Sequence, residues 1–328
     1  MNNYQHLLQL FLSHLEKYTS NLKTKLPIEL YEPENYILNL GGKRLRPLLA
    51  LIAVDLFDKQ PERALDSALS VELFHNFSLI HDDILDAAPL RRNQPTVHTK
   101  WNTNIGILSG DVMMVKAFQV LENYEGDTYK QLNKLFSQTA IEVCEGQQWD
   151  MNFESANPED VSVEKYIDMI TKKTAVLLGC SLQMGAITSN ATIETQTNIY
   201  EFGKHLGIAF QLLDDLLDAY ATDKDKFGKQ IGGDIIANKK TFLVLKAFEL
   251  ANEHQKKQLQ NLSIENDIIK KIKCTLNLFN ELNVKSICEK EADKHTQIAI
   301  NCLKKINANE DKKNTLKHFA FELLNRQV

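Results

Sequence analysis

Hydrophobic positions recur with helical spacing along almost the whole of this chain. The stretches 64–85 and 199–220 predict amphipathic to buried helices. Long alternating runs of Val, Ile and Thr, which β-strands favour, are missing. Neither proline nor glycine follows Gly233, so the last part of the chain predicts charged helices joined by short polar links. The pattern predicts an all-α protein, a bundle of about ten or more helices.

The composition is that of a globular protein with a sizeable core. Of the 328 residues, 43% are hydrophobic and 25% are charged, which are ordinary values for globular folds. No low-complexity segment, flexible linker or fixed repeat interrupts the chain. Although this length permits two domains, one all-α domain spanning residues 1–328 is the simplest expectation.

Charge and cysteine content narrow the classes of function. The net charge of −5 gives no electrostatic footprint for nucleic acid. The five cysteines form no CxxC pair, which argues against a zinc site or a disulfide framework and favours a reducing compartment. The N-terminus lacks the features of a signal peptide, and no apolar run approaches the roughly 20 residues of a membrane span. A cytoplasmic protein with no transmembrane segment is expected.

The densest cluster of functional groups is the acidic stretch 82–86. Asp82, Asp83 and Asp86 follow an apolar and aromatic run, and helical spacing places Asp82 and Asp86 on one face. Carboxylates at this spacing repel one another. Mg²⁺, which prefers oxygen ligands, removes this repulsion, and phosphate oxygens can complete its shell. A solvated acidic turn is the alternative for this stretch taken alone.

A second acidic stretch repeats the same spacing. Asp214, Asp215 and Asp218 again lie in an apolar segment predicted to be helical, and Gln211 shares a face with Asp214 and Asp218. Two such clusters are hard to explain as scattered surface charge. Facing each other across a helical bundle, they would clamp a metal–diphosphate group from both sides.

Basic groups accompany the first acidic stretch. The segment GGKRLRP carries Lys43 and Arg46 at a predicted helix start, with Pro47 as the first helical residue. The free N–H groups of a helix start also favour anions. Arg91 and Arg92 follow the acidic stretch after a loop and could hold phosphates directly. A plain basic loop is the alternative in both places.

One histidine shares the helical face of the first acidic stretch. His75 lies seven residues before Asp82, which places it on about the same side of the helix. Two interpretations remain open for it, a satisfied core histidine or a hydrogen-bond donor to phosphate.

Two lysine-bearing segments surround the second acidic stretch. TKKTA supplies Lys173 and Thr174, a charge and a hydroxyl suited to phosphate. The Gly- and Lys-rich segment 227–241 supplies the candidate phosphate clamps Lys229 and Lys239, with Asp234 as an outer metal-shell group. Solvated surface lysines are the alternative.

These motifs, in this order and spacing, resemble those of the trans-isoprenyl diphosphate synthases, the polyprenyl synthetase family. The motifs are GGKRLRP, LIHDDILD, RRNQPTVH, TKKTA, FQLLDDLLD and the following GK, GGDI and NKKT, and together they cover about residues 40–246. Asn93-Gln94 departs from the usual Gly-Lys of the family, which is expected to alter the loop more than the chemistry. The resemblance implies a single bundle of antiparallel helices around a central cavity, the isoprenoid synthase fold.

The resemblance also implies a Mg²⁺-dependent chain elongation. An allylic prenyl diphosphate ionises, isopentenyl diphosphate attacks the cation head-to-tail, and loss of a proton forms a new trans double bond. About three Mg²⁺ ions are expected per site. The implied metal ligands are Asp82, Asp86 and Asp214, assisted by Asp83, Asp215 and Asp218. The groups implied to hold the allylic diphosphate are Arg91, Lys173, Thr174, Gln211 and Lys229. Those implied for isopentenyl diphosphate, which binds without metal, are Lys43, Arg46, His75 and Arg92.

Product length is a finer expectation from the same resemblance. The family sets it chiefly by the residues four and five positions before the first Asp, here Ser78 and Phe77. An aromatic residue followed by a small one resembles short-chain synthases, C20 more than C15, so geranylgeranyl diphosphate is favoured and farnesyl diphosphate is next. Phe77 as ordinary core is the alternative. Other residues that could shape the pocket floor are Phe74, Met113, Met114 and Phe118.

Two other functions are weighed against this one. A class I terpene cyclase also ionises a prenyl diphosphate, but it would ordinarily carry an Asn/Ser/Glu-type second metal motif. A non-catalytic partner subunit of a heteromeric prenyl synthase would typically lose one acidic motif, and both are intact here. Family members are usually homodimers, and a homodimer is expected.

Overall fold

Helices make up nearly all of the structure, a computed structural model that describes residues 4–221 and 232–324. Helices α1 to α10 span, in chain order, Gln5–Leu22, Ile28–Asn39, Leu45–Leu56, Leu65–Leu85, Val97–Lys100, Thr103–Gln119, Gly126–Ser155, Val163–Ile170, Val176–Thr188 and Ile193–Tyr220. Helices α11 to α16 span Gly233–Ile236, Phe242–Leu250, Glu253–Ser263, Ile268–Glu281, Val284–Lys305 and Glu310–Leu324. Strands β1 (Leu90–Arg91) and β2 (Gln94–Pro95) pair as one antiparallel hairpin. The prediction of an all-α protein is confirmed.

The described residues divide into two compact units. The first takes its residues from Met1–Gln138, Cys180–Tyr200 and Asn307–Thr315. The second takes its residues from Thr139–Gly179, Glu201–Ile306 and Leu316–Val328. The first acidic stretch therefore belongs to the first unit, and the second acidic stretch to the second. A single domain spanning residues 1–328 stays a prediction.

Helix α4 carries the first acidic stretch and is a core helix of the first unit. It packs against α3 and α6, and every residue of Ser67–Phe74 is buried. A helix that is buried all round is expected from a nearly continuous apolar sequence. The helix is capped by Asp86, and Ala87 follows with φ 49°, the left-handed conformation that commonly ends helices.

Two glycines allow α6 to lie close to α4. A Cβ at Gly106 would lie 2.9 Å from Cδ1 of Ile84, and one at Gly110 would lie 2.4 Å from Nε2 of His81. Larger residues at these two positions would require the side chains of Ile84 and His81 to shift.

The stretch Thr103–Asn123, which contains α6, is also the one helical stretch of the described chain long and apolar enough to cross a membrane. Core helices of globular proteins meet the same criterion of length and composition. This helix packs on α2 and α4 with one face, and its other face exposes Ile107, Leu108 and Val115.

Helix α3 begins at Leu45, so the prediction that Pro47 is the first helical residue was wrong by two positions. Pro47 still lies in the first turn, where the backbone N–H groups have no acceptor within the helix. Its missing N–H therefore removes no helical hydrogen bond.

A buried ion pair joins α2 to α6 in the first unit. Glu34 is fully buried and accepts hydrogen bonds from Nζ of Lys116 at 2.6 Å and from the hydroxyl of Tyr18 at 2.5 Å. Burial lowers the pKa of Lys116, and the Glu34 charge opposes that shift. Each charge of the pair therefore depends on the other for compensation.

Replacing Lys116 with methionine is expected to destabilise the protein by about 3–5 kcal/mol, because it leaves the Glu34 carboxylate buried without its counter-charge. Urea unfolding at neutral pH measures the loss. Lys130→Met is the control, since that side chain is 78% exposed and surface pairs contribute little. Equal stability of the two variants would contradict this role of the pair.

In the second unit, α10 contributes one face to the hydrophobic core. Leu212, Leu216 and Ala219 are buried there in a cluster that includes Phe242 and Phe279. Two of the later helices begin at polar caps. The side chain of Asn252 caps α13 and that of Asp267 caps α14, each accepting a backbone N–H. The predicted run of helices after Gly233 is confirmed for the residues that the structure describes.

Candidate active site

The predicted site residues that the structure describes form two groups, one in each unit. The first unit contains Lys43, Arg46, His75, Phe77, Ser78, Asp82, Asp83, Asp86, Arg91 and Arg92. The second unit contains Lys173, Thr174, Gln211, Asp214, Asp215, Asp218 and Lys239. Lys229 lies outside the described residues.

The three aspartates on α4 lie in different environments. Asp83 is 3% exposed, and its two carboxylate oxygens accept hydrogen bonds from Arg91 at 2.8 and 2.7 Å. The Asp82 side chain is 23% exposed, and its Oδ2 lies 4.0 Å from Nη2 of Arg91. Asp86 is exposed at the end of the helix. A ligand from solvent can therefore reach Asp82 and Asp86, whereas Asp83 is engaged by Arg91.

The hairpin that carries Arg91 and Arg92 turns through two residues of positive φ. Arg92 has φ 53° and Asn93 has φ 60°, the φ signs of a type I′ turn. Asparagine adopts this left-handed conformation more readily than most residues, so Asn93 suits this turn. Arg92 is strained in this conformation, and its guanidinium donates a hydrogen bond to the backbone oxygen of Gly41.

The GGKRLRP segment forms a tight loop against this hairpin. Gly42 has φ 117°, and a Cβ there would lie 2.8 Å from the guanidinium carbon of Arg92. Glycine suits position 42 because its φ is one that other residues rarely adopt, and a side chain there would also displace the Arg92 guanidinium. The loop leaves Lys43 exposed and brings Nη1 of Arg46 to 3.2 Å from Nε2 of His75.

Burial shifts the pKa values of Arg46 in this loop and of His75 on α4. Burial lowers the pKa of Arg46 to about 10, and the Glu72 charge opposes this effect. Burial also lowers the pKa of His75 well below its ordinary value. Nearby guanidinium groups lower it further, those of Arg46, Arg92, Arg91 and Arg44. His75 is therefore neutral at pH 7, and the surrounding arginines favour an anion of high charge, such as a diphosphate.

An aromatic cluster lies on α4 before the acidic stretch. The Phe77 ring is buried, with its centroid 5.4 Å from that of Phe74 and 4.8 Å from that of His81. Phe136 contacts Phe74 and also Phe118 of α6, at 5.4 and 4.7 Å between centroids. The Ser78 hydroxyl donates to the backbone oxygen of His75 at 2.8 Å. We call Phe74, Phe77, Phe118 and Phe136 the aromatic cluster.

In the second unit, TKKTA forms a π-helical turn between α8 and α9, Thr171–Ala175. Such turns interrupt the α-helical pattern and are frequent at functional sites. Nζ of Lys173 donates to Oδ2 of Asp150 on α7 at 2.6 Å. Thr174, the next residue, is partly buried.

Two glycines let neighbouring helices approach this turn. A Cβ at Gly146 of α7 would lie 2.2 Å from the backbone nitrogen of Lys173. A Cβ at Gly207 of α10 would lie 2.7 Å from Cα of Ala175. Both contacts are with backbone, which cannot rotate away as a long side chain can. The two glycines therefore fix the position of Lys173 and Thr174.

Gly146→Ala is expected to destabilise the protein by about 1–3 kcal/mol and to displace Lys173, because the added methyl group meets the backbone of the π-helical turn. Thermal unfolding and calorimetric titration with inorganic diphosphate measure the two effects. Gln148→Ala, an exposed position on the same helix, is the control. A Gly146→Ala protein with the stability and diphosphate affinity of this control would show that the close approach has no role.

Asp215 of α10 is held by the protein. It is buried, and its Oδ2 accepts hydrogen bonds from the hydroxyl of Tyr166 at 2.5 Å and from the backbone N–H of Phe242 at 3.3 Å. Nε2 of Gln211 lies 3.4 Å from its other oxygen. Burial raises the pKa of Asp215 to about 8, although the hydrogen bond from Tyr166 acts in the opposite direction.

The other two aspartates of α10 differ from each other as well. Oδ1 of Asp218, a buried side chain, accepts the backbone N–H of Asp234 at 2.9 Å, at the start of α11. Asp214 is only partly buried. Of the three, Asp214 is thus the one that a ligand reaches most directly.

An open cavity of about 910 Å³ lies in the second unit beside these groups. Its walls carry charged and polar side chains, among them Lys173, Gln211, Asp215, Asp234 and Lys239. Nζ of Lys239 lies 3.9 Å from Oδ1 of Asp234. The cavity has the volume and polar lining that a phosphorylated ligand needs.

The carboxylates suit Mg²⁺ that is shared with a phosphorylated ligand. Within residues 4–221 and 232–324, no three His, Cys, Asp or Glu side chains are gathered into a metal site. Mg²⁺ does not need such a cage, since it commonly binds through one or two carboxylates, phosphate oxygens and water. Asp82, Asp86 and Asp214 are oxygen donors that leave room for those other ligands.

Sequence reasoning missed three residues that hold the site together. Asp150 binds Lys173, Tyr166 binds Asp215, and Glu72 binds Arg44. Asp150 lies four positions after Gly146, and a glycine inside a long helix is a signal that could have directed attention there. Tyr166 and Glu72 follow the ordinary pattern of their helices and gave no such signal.

Comparison with known proteins identifies the family of this chain. The family model for Polyprenyl synthetase matches residues 27–279. Geranylgeranyl diphosphate synthase of Saccharolobus solfataricus is 42% identical over 244 residues, 73% of this chain and 71% of that protein. Short chain isoprenyl diphosphate synthase of Methanocaldococcus jannaschii is 39% identical over 248 residues, 75% of each. A crystal structure of a geranylgeranyl pyrophosphate synthase superposes with a TM-score of 0.93 at 42% identity and full coverage of both chains. The resemblance drawn from the motifs is confirmed, and the chain belongs to the polyprenyl synthetase family of prenyltransferases.

Proposed function

We propose that this prenyltransferase joins isopentenyl diphosphate to an allylic prenyl diphosphate and makes a short all-trans prenyl diphosphate. Geranylgeranyl diphosphate is the favoured product, and farnesyl diphosphate is the second candidate. The proposal rests on one observation, that each unit combines an acidic stretch with basic groups. Each acidic stretch lies on a helix with solvent-reachable carboxylates, and each unit also holds cationic groups suited to a diphosphate. The relatives named geranylgeranyl diphosphate synthase support the product.

The basic loop of the first unit would bind isopentenyl diphosphate. Lys43 is exposed there, Arg46 lies beside His75, and Arg92 is fixed by its bond to Gly41. Because His75 is neutral, it would donate one hydrogen bond to the diphosphate without adding charge. This arrangement supports binding of the diphosphate without metal.

A second set of groups, which includes Arg91, would hold the allylic diphosphate. The others are Lys173, Thr174, Gln211, Lys239 and, beyond the described residues, Lys229. Lys173 is already oriented by Asp150, so it would meet the leaving diphosphate at a fixed position. The lysines would stabilise the negative charge that develops on the leaving diphosphate.

About three Mg²⁺ ions would be bound by the aspartates together with the diphosphate. Asp82, Asp86 and Asp214 would be the main ligands, because they are the carboxylates that solvent reaches. Asp83, Asp215 and Asp218, which the protein already engages, would support them. When bound, Mg²⁺ supplies positive charge to the leaving diphosphate.

The reaction forms one carbon–carbon bond and releases diphosphate. The bond from the allylic carbon to the diphosphate oxygen breaks, and the double bond of isopentenyl diphosphate attacks that carbon. The proton then lost from the new cation would go to the released diphosphate, since none of the described residues stands out as a dedicated base. The apolar residues near both acidic stretches would keep water from the cation.

Product length would be set by Phe77 and Ser78. Phe77 belongs to the aromatic cluster on the apolar side of α4, and Ser78 leaves little bulk beside it. A chain that grows past Asp82 toward this cluster would stop when it meets the ring.

The partner proposed for this chain is a second copy of itself. Helix α6 exposes Ile107, Leu108 and Val115 on the face that does not pack on α2 or α4. A homodimer would cover this apolar face, and the helical family members usually dimerise through central helices. We place the enzyme in the cytoplasm, since no disulfide joins its five cysteines.

Release of diphosphate tests the reaction class. With Mg²⁺, isopentenyl diphosphate and farnesyl diphosphate together, the protein is expected to release diphosphate, and with farnesyl diphosphate alone it is expected to release almost none. Release from farnesyl diphosphate alone, with a cyclic hydrocarbon as product, would instead establish a terpene cyclase. A protein inactive with dimethylallyl, geranyl and farnesyl diphosphates would be a partner subunit.

A further inference from the structure

Two buried carboxylates lie among the arginines of the first unit, Asp83 beside Arg91 and Glu72 beside Arg44. Glu72 is 2% exposed on α4 and accepts hydrogen bonds from Nη1 of Arg44 and, at 2.9 Å, from Nδ2 of Asn76. Arg44 is buried too, and its Nη2 donates to the backbone oxygen of Leu38 on α2. The Arg44–Glu72 pair thus ties the GGKRLRP loop to two helices.

The loop needs such a tie because of its backbone. Arg44 has φ 47°, a left-handed conformation that is unfavourable for a residue with a side chain. A strained residue keeps this conformation only when its surroundings hold it there. Arg44 directly follows Lys43 and lies two positions before Arg46. Its backbone conformation therefore affects the direction of the chain at both residues.

Glu72 is also the counter-charge for the cations around it. Burial lowers the pKa values of Arg46 and Arg92, and the Glu72 charge opposes both shifts. The buried Nε atoms of Arg44 and Arg46 have no hydrogen-bond partner among the described residues. A cationic site of this kind is pre-formed only if one anion prevents the arginines from separating.

We propose that Glu72 is a positioning residue for isopentenyl diphosphate: through Arg44 it holds the loop 41–46 in the conformation that presents Lys43, Arg46 and His75 to the diphosphate. This proposal rests on the proposed function, because the ligand is the isopentenyl diphosphate assigned to that loop. Glu72 itself does not touch the ligand.

Glu72→Gln tests this role, since glutamine keeps the shape and a hydrogen-bond acceptor but removes the charge. The variant is expected to bind isopentenyl diphosphate about ten- to a hundredfold more weakly in metal-free calorimetry. The KM for isopentenyl diphosphate should rise in parallel, while the KM for farnesyl diphosphate stays within about twofold. Tighter or unchanged binding of isopentenyl diphosphate would overturn the proposal, since removal of a plain counter-charge strengthens anion binding.

Glu34→Gln is the matched control. Glu34 is another buried, paired carboxylate of the first unit, and it contacts Lys116 and Tyr18 instead of the loop. This variant is expected to lose stability and to keep the affinity for isopentenyl diphosphate. Equal weakening of isopentenyl diphosphate binding in both variants would assign the effect to general destabilisation and overturn the proposal.

A double variant keeps the test decisive if Glu72→Gln does not fold. Arg44→Met with Glu72→Leu removes both buried charges, which is often tolerated where the loss of one is not. The proposal expects this protein to fold and still to bind isopentenyl diphosphate weakly, and wild-type affinity would overturn it. Wild-type protein that binds no isopentenyl diphosphate would contradict the proposed function itself, a result separate from any change in the variants.

Discussion

Asp82→Ala is expected to abolish Mg²⁺-dependent turnover, a loss of at least about 10²–10³-fold. Asp82 is the aspartate of α4 that lies beside Arg91 and still remains open to solvent, whereas Asp83 has both oxygens engaged. Without Asp82, Asp86 lacks the carboxylate one helical turn away, with which it would share a metal ion. Initial rates of isopentenyl diphosphate incorporation, measured across a range of Mg²⁺ concentrations, give the loss.

The control for this variant is Asp127→Ala. Asp127 is an exposed aspartate in the first turn of α7, and its pair with Lys130 lies on the surface. It should retain wild-type turnover. If Asp82→Ala also turned over at a near-normal rate, the assignment of α4 as a metal-binding helix would be wrong.

Phe77→Ala is expected to shift the end product to longer chains, by one or more isoprene units. Its ring is buried in the aromatic cluster, and removing it opens space on the apolar side of α4 where the growing chain would otherwise stop. Chromatographic sizing of the dephosphorylated alcohols from equal incubations measures the shift. The cavity itself would also lower stability by about 3–5 kcal/mol, so the assay belongs well below the unfolding temperature.

Phe118→Ala separates a floor from a general effect of cavities. Phe118 belongs to the same aromatic cluster but lies on α6, where it contacts Phe136. Longer products from Phe77→Ala alone would assign the floor to α4. Longer products from Phe118→Ala alone would move the floor to α6, and Phe77 would then be ordinary core.

The sequence was sufficient for the elements whose signals are local. The spacing of apolar residues predicted the helix that ends at Leu85, just before Asp86, and the helix that carries Asp214. Such a pattern is expected because a core helix needs a nearly continuous apolar surface.

Contacts between distant residues could not be predicted from one sequence. The spacing of Asp82, Asp83 and Asp86 does not reveal that Arg91 engages only the middle one through both oxygens. Likewise, the hydrogen bond from Tyr166 to Asp215 joins two helices through residues that lie 49 positions apart in the sequence. Such contacts depend on how helices pack, which apolar periodicity does not specify. The helix start at Leu45 was missed for a simpler reason, because proline is tolerated anywhere in a first turn.

The most direct test of the account is the size of the product made by the wild-type protein. Labelled isopentenyl diphosphate would be incubated with Mg²⁺ and dimethylallyl, geranyl or farnesyl diphosphate in turn, and the dephosphorylated alcohols sized. The proposed function predicts an all-trans C20 alcohol from every primer. A C15 alcohol from dimethylallyl and geranyl diphosphates is the second expectation. Products much longer than C20 would contradict the short-chain assignment, and no elongation of any primer would contradict the function as a whole.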